Sequence, residues 1–217
     1  MTSEAALGAE VATRRQNLGS KHPDTLKSIN NMGMLLQAHG KLAEAETLFR
    51  EALAGHRETV GSKHPNTLIS INNMATLLHT QGRLAEAEQL FSEALAGSRE
   101  TLGNKHLDTL TSINNMASLL TAQGKLAEAE PLCREALAGM RETLGNKHRN
   151  TLAAVNNMAG LLQAKGKLAE AEPLYHETLA GRRETSTLAR LFPSATWLGC
   201  CRPRASWMRR SRCVVTG

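Results

Sequence analysis

Histidine, cysteine and asparagine are the side chains of this chain that could ligate, shuttle protons or grip a ligand, and their spacing limits each. His22, His64, His106 and His148 recur every 42 residues, one per repeat of the sequence. A metal needs its ligands near 2 Å, whereas packed helices lie about 10 Å apart. The four are therefore expected to be loop histidines packing ahead of a helix, and no metal is expected. Cys133 is the one thiol of the first 185 residues and stands where other repeats place Phe49, Phe91 and Tyr175. That substitution pattern predicts a small buried hydrophobe. Cys200, Cys201 and Cys213 lie in the tail without a paired framework, which fits a reducing, cytoplasmic setting. There is no phosphate loop, Gly-rich dinucleotide turn or Cys-x-x-Cys, so neither an enzyme nor a cofactor is expected.

Asparagine is the more informative set. Asn30, Asn72, Asn114 and Asn156 each open an Asn-Asn-Met triplet at the same 42-residue step. If the surrounding run is a helix, positions 27, 30, 34 and 37 share a face away from its apolar stripe. Asn30, Asn72, Asn114 and Asn156 would then form a ladder along a concave groove. Gln37, His79, Thr121 and Gln163 would form a second row, with Lys27 near one end. An Asn amide donates and accepts at once, so such a ladder suits the backbone of an extended peptide. The competing structural role is that Asn bridges neighbouring helices.

The elements that must carry these side chains are legible in the repeat. Gly19, Gly61, Gly103 and Gly145 open successive units, and Leu-Ala-Glu-Ala-Glu recurs at Leu42, Leu84, Leu126 and Leu168. A fixed period of this length marks a repeat array. Within a unit, Leu26, Ile29, Met32, Gly33 and Leu36 fall at helical spacing. Pro23 suits a first helical position and Asp24 the first turn, and Gly40 is a stop signal. A second run places Leu42, Ala45, Phe49, Ala52 and Leu53 on one face and pairs Glu46 with Arg50 on the wet side. It runs out near Val60-Gly61. Glu44, Glu46 and their repeats are expected to be helix-surface charges. Gly33, Ala75, Ala117 and Ala159, like Ala45, Ala87, Ala129 and Ala171, mark close backbone approach. Neither helix buries its stripe alone, so antiparallel pairs are expected to stack into an all-α, right-handed solenoid. Pro131 and Pro173 sit early in their second helices and each removes one backbone hydrogen bond.

These residues resemble the tetratricopeptide repeat: Ile29, Met32, Gly33, Leu36 and Gly40 in the first helix, Ala45, Phe49 and Ala52 in the second. The long period, with Leu-Gly-x-x-His-Pro-Asp-Thr-Leu and Glu-Ala-Glu-Pro-Leu, is similar to the kinesin light chain and nephrocystin-3 branch. Leu107 and Arg149 replace the loop Pro, and Thr178 replaces a small Ala. The resemblance implies a non-enzymatic scaffold of cargo or adaptor type, holding a partner peptide on groove asparagines that match Asn30 and its copies. A second reading is a repeat segment of a larger NB-ARC/NACHT-type signalling ATPase or motor adaptor, without independent activity.

The expected organisation is a lone second helix over 1–17, four units over 18–59, 60–101, 102–143 and 144–185, and a tail over 186–217. The net charge of +6 comes from that tail, which holds six Arg and no acid. The first 185 residues carry 20 basic and 20 acidic side chains, a neutral body that does not suggest nucleic acid. No apolar run reaches membrane-spanning length. The tail reads as a fifth unit translated out of frame. The Trp207-Met208 codons, read one base early, compel Leu, Met or Val, then Asp, then Ala or Glu, as in Leu-Ala-Glu. The weaker alternative is a basic, Trp-bearing membrane or RNA contact with Cys200-Cys201 as a lipidation pair. With its covering neighbour disrupted, the last unit is expected to favour self-association through an exposed apolar face.

Overall fold

The computed structural model describes the backbone of residues 3–191 and the side chains of residues 4–184. The out-of-frame tail expected over 186–217 therefore falls almost wholly outside the described residues, and 192–217 entirely so. The described residues form nine helices and no strand: α1 (Ser3–Leu18), α2 (Pro23–Ala38), α3 (Leu42–Val60), α4 (Pro65–Thr80), α5 (Leu84–Leu102), α6 (Leu107–Ala122), α7 (Leu126–Leu144), α8 (Arg149–Ala164) and α9 (Leu168–Leu191). One compact unit ends at Arg182; of the second, from Arg183 onward, the described part is the helical stretch 183–191.

The repeating histidine starts the first helix of each pair. Nδ1 of His22, His64, His106 and His148 accepts the backbone N–H two residues on, at 3.2 Å each time. Each imidazole thus caps one of the orphan donors that every helix N-terminus exposes. Pro follows the cap in α2 and α4, whereas α6 and α8 begin at the same register with Leu107 and Arg149. The cap, not the Pro, is common to all four starts. At the far end of the second helix, Gly61 has φ 88°, a left-handed value that L side chains avoid. The tight turn inside the pair uses Gly40 at φ 77° in the same way.

The expected stripes are the core. Leu26, Ile29, Leu36, Ala45, Phe49 and Ala52 are all buried, and Ile71, Ile113 and Val155 repeat the position of Ile29 at full burial. α2, α4 and α6 each pack on their own second helix, Leu152 of α8 meets Gly181 of α9, every first helix packs on the second helix before it, and successive first helices also touch. α1 packs on α2 as α3 packs on α4: Val11 joins Leu26 and Ile29, and Leu53 joins Leu68 and Ile71. Cys133 is buried in the position of Phe49 and Phe91. Burial, with the neighbouring Glu130 carboxylate adding to it, pushes its thiol up to about 11, so it stays a protonated hydrophobe. Thr178 is buried too, its hydroxyl donating to the Leu174 carbonyl at 3.0 Å. α7 and α9 continue through Pro131 and Pro173.

An approach as close as the one at Gly33, where a Cβ would come within 2.7 Å of Phe49, occurs at the Ala-Gly step late in each second helix. A Cβ on Gly55, Gly97, Gly139 or Gly181 would come within 2.5–2.7 Å of a Leu methyl of the paired first helix. Those leucines are Leu26, Leu68, Leu110 and Leu152, each buried.

Candidate functional site

The first helices α2, α4, α6 and α8 lie side by side and present their remaining faces as one surface. The structure turns the expected asparagine row by one residue. Asn30, Asn72 and Asn114 are 5%, 9% and 7% exposed, wedged between successive pairs, and Asn156 is half-buried. The reason is angular. At about 100° per residue, position 30 lies only some 40° from Leu26 on the core side, whereas position 31 lies about 140° away. The second Asn of each pair takes the outer position: Asn31 is exposed, and Asn73, Asn115 and Asn157 are partly so.

The buried Asn works as a bridge between units. Asn30 Nδ2 donates to Ser70 Oγ at 2.7 Å, and Asn72 Nδ2 to Ser112 Oγ at 2.7 Å. Ser70 also meets His56 Nδ1 at 2.8 Å. The series stops at Asn114, because Ala154 occupies the serine position of the next unit; there Asn157 Nδ2 donates to the Asn114 carbonyl at 3.3 Å. The Oδ1 atoms of Asn30, Asn72 and Asn114 are buried without a protein partner. Burial lowers the pKa of His56, with a smaller contribution from the charge of His64.

The outer surface is a band of small, polar and amide groups. Beside the second-Asn row run Lys27, Ile69, Thr111 and Ala153 on one side and Met34, Thr76, Ser118 and Gly160 on the other. Lys27, Ile69 and Met34 are exposed, the last two at 40% and 51%. The other expected row forms the border of this band. Gln37 donates to Thr80 Oγ1 at 3.2 Å, Thr121 donates to the Ala117 carbonyl at 2.8 Å, and Gln163 accepts from the Tyr175 hydroxyl at 2.7 Å. His79 is half-buried there, which lowers its pKa. The loop histidines do not converge, each capping its own helix. Among the described residues no group of three or more His, Cys, Asp or Glu side chains is placed to hold a metal ion. No helix among them is long and apolar enough to cross a membrane.

The charges hold the units in register. Arg15–Glu51, Arg57–Glu93, Arg99–Glu135 and Arg141–Glu177 join successive second helices at 2.7–2.9 Å. Lys21–Glu58, Lys63–Glu100 and Lys105–Glu142 repeat a second contact at 2.5–2.7 Å. The second Glu of Leu-Ala-Glu-Ala-Glu, expected to be a simple surface charge, instead clasps the turn of the following pair. Glu46 accepts from Gln81 at 2.9 Å and Arg83 at 3.0 Å, besides its own-helix partner Arg50 at 2.6 Å. Gln81, then Arg50 and Arg83, hold its carboxyl down at about 2. Glu88 repeats this with Gln123 and Lys125, Glu4 with Lys41 and His39, and Glu130 with Lys165. The 35–37-residue offsets carry no helical signature, so periodicity alone gives no sign of these clasps.

A tetratricopeptide repeat family model matches the chain over residues 3–58, 24–100, 67–120 and 108–184. Among solved structures, a candidate kinesin light chain of Podosopora anserina with nearly identical TPR-like repeats is 30% identical. It covers 84% of this chain and 86% of its own at a TM-score of 0.60. A point variant of that protein is 29% identical, covering 85% and 87% at a TM-score of 0.62. BtubC (BKLC) from P. vanneervenii shares the fold at 17% identity and a TM-score of 0.66, covering 99% of this chain and 79% of its own. No protein of curated function matches.

Proposed function

Because the chain belongs to the tetratricopeptide repeat family, we propose that it is an interaction scaffold of kinesin light chain type that holds an extended partner peptide across its first helices. The observation that carries this reading is the division of labour within each Asn-Asn pair. The first Asn is turned inward, buried at 30, 72 and 114 and half-buried at 156, and at 30 and 72 it bridges to the serine of the next first helix. The second, at 31, 73, 115 and 157, offers amides at the period of the repeat. Exposed Asn, Thr and Ser suit main-chain N–H and C=O groups, and Met34 and Ile69 supply apolar contact for side chains. Lys27 favours an acidic residue at the end of the peptide over α2. Gln37, His79, Thr121 and Gln163 border the path. A cytoplasmic setting agrees with cysteines that form no paired framework in the sequence.

The test is a peptide array or pull-down with Asn73→Ala plus Asn115→Ala. Two lost hydrogen bonds, each worth about 0.5–1.5 kcal/mol net, predict about a tenfold or greater loss of affinity, with an unchanged melting temperature. Asn72→Ala plus Asn114→Ala should lower the melting temperature instead. Binding that survives the Asn73/Asn115 change would refute the reading.

A further inference from the structure

The same face of every second helix can be compared along the chain, and at α9 it is open. At internal junctions the following first helix covers it. Leu53 and Leu95 are each 9% exposed; Leu179, at their position, is 53% exposed. Leu42, Leu84 and Leu126 are half-buried, whereas Leu168 is 63% exposed. These residues border a cleft of about 490 Å³ that also reaches Glu172 and Tyr175. The polar half of the junction is open as well. Glu46 and Glu130 are 18% and 20% exposed beneath the Gln, Arg or Lys of the next turn. Glu172, in the same register, is 75% exposed and has His176 at 3.8 Å.

The occupied junctions say what fits. On α3, the covering element is α4. It lays Leu68 and Ile71 against Leu53, and its closing Gln81-Gly82-Arg83 turn reaches Glu46. On α5 the corresponding turn is Gln123-Gly124-Lys125, reaching Glu88. On α7 it is Lys165-Gly166-Lys167, whose Lys165 reaches Glu130. The occupant's chemistry is therefore an amphipathic helix of about four turns with a Leu-x-x-Ile stripe, closing on a Gly turn flanked by an amide or amine and a cation.

We propose that the open face of α9 docks one such helix from another polypeptide, with its Gly turn placed on Glu172. The site is carried by α9 and adjoins the proposed peptide path only at Gln163, which also lines the cleft.

A labelled peptide spanning Ser62 to Arg83, the segment that covers α3, serves as the probe for fluorescence anisotropy on the full chain. Saturable binding of one probe per chain is expected, weakened at least tenfold by Leu179→Asp or Leu168→Asp. Glu172→Lys should weaken it several-fold, and a probe carrying Arg83→Glu should recover the loss on that variant. Asn73→Ala plus Asn115→Ala should leave probe binding unchanged, which separates this site from the first-helix face. Circular dichroism checks that each variant keeps its helicity, and the charge-swap pair stands if the Asp variants do not fold. Absence of saturable binding, or affinity indifferent to both Leu179→Asp and Glu172→Lys, would overturn the proposal. So would a Leu179-dependent dimer that the probe cannot dissociate, since the occupant would then be a second copy.

Discussion

His56 shows how much a single side chain can report. It is 2% exposed, meets Ser70 at Nδ1 and has no partner at Nε2. Burial holds its folded pKa below the 6.5 of the open chain. The unfolded state therefore binds more protons as pH falls through that value, and stability that is complete above it is lost below. The melting temperature should fall between about pH 7 and pH 5, and His56→Ser, matching Ser98 one unit on, should flatten that slope. The pKa values of His79 and His148, which burial also lowers, act in the same direction. Glu46 acts in a lower window. Its clasp contributes above the usual 4.5 and fades as pH approaches 2, so Glu46→Gln should flatten the acid limb alone. None of these roles is legible in the sequence beyond the identity of the residue. The 3.6 period locates Asn30 to within one position, but a one-residue step separates a junction amide from a solvent-facing one. The Asn–Ser bridge spans 40 residues, which no local pattern encodes.

Elements are far more legible. Both helices of each pair, their glycine stops and their buried stripes follow from spacing alone, because a 42-residue unit supplies few local alternatives for its apolar residues. The histidine caps are not readable, since a side-chain nitrogen accepting from the backbone two residues on depends on loop conformation. His106→Ala should cost about 0.5–2 kcal/mol, the usual range for a lost cap, measured by urea denaturation. His64→Ala should cost less if Pro65 partly fixes the start of α4. The Ala-Gly step is hidden too, because Gly within a helical run reads as a defect. Gly139→Ala tests it. Intrinsic propensity favours Ala by up to about 1 kcal/mol, but overpacking against buried Leu110 costs about 1–3 kcal/mol. A net loss of stability is expected; a gain would mean that Leu110 has room to move.

For the whole molecule, stability is a sum of units and junctions. The Arg–Glu series between second helices is about two-fifths exposed on either side, so each pair is worth about 0–1 kcal/mol. Raising the salt concentration should accordingly move the melting temperature by only a few degrees. The out-of-frame reading of residues 186–217 belongs to this scale as well. Genomic and transcript sequencing across Thr185 should spell the repeat in the shifted frame, and a frame that does not would dismiss it.

The clasps have one further consequence. The junctions on α3 and α5 use the same residue kinds at the same offsets: Glu46 to Gln81 and Arg83, Glu88 to Gln123 and Lys125, Arg57 to Glu93, Arg99 to Glu135. Excising residues 60–101 would set Glu46 against Gln123 and Lys125, Arg57 against Glu135, and Asn30 against Ser112, like meeting like at every seam. Unequal crossing-over between copies can then lengthen or shorten the polymer in register, and the gene is free to drift in copy number while the fold keeps its grammar.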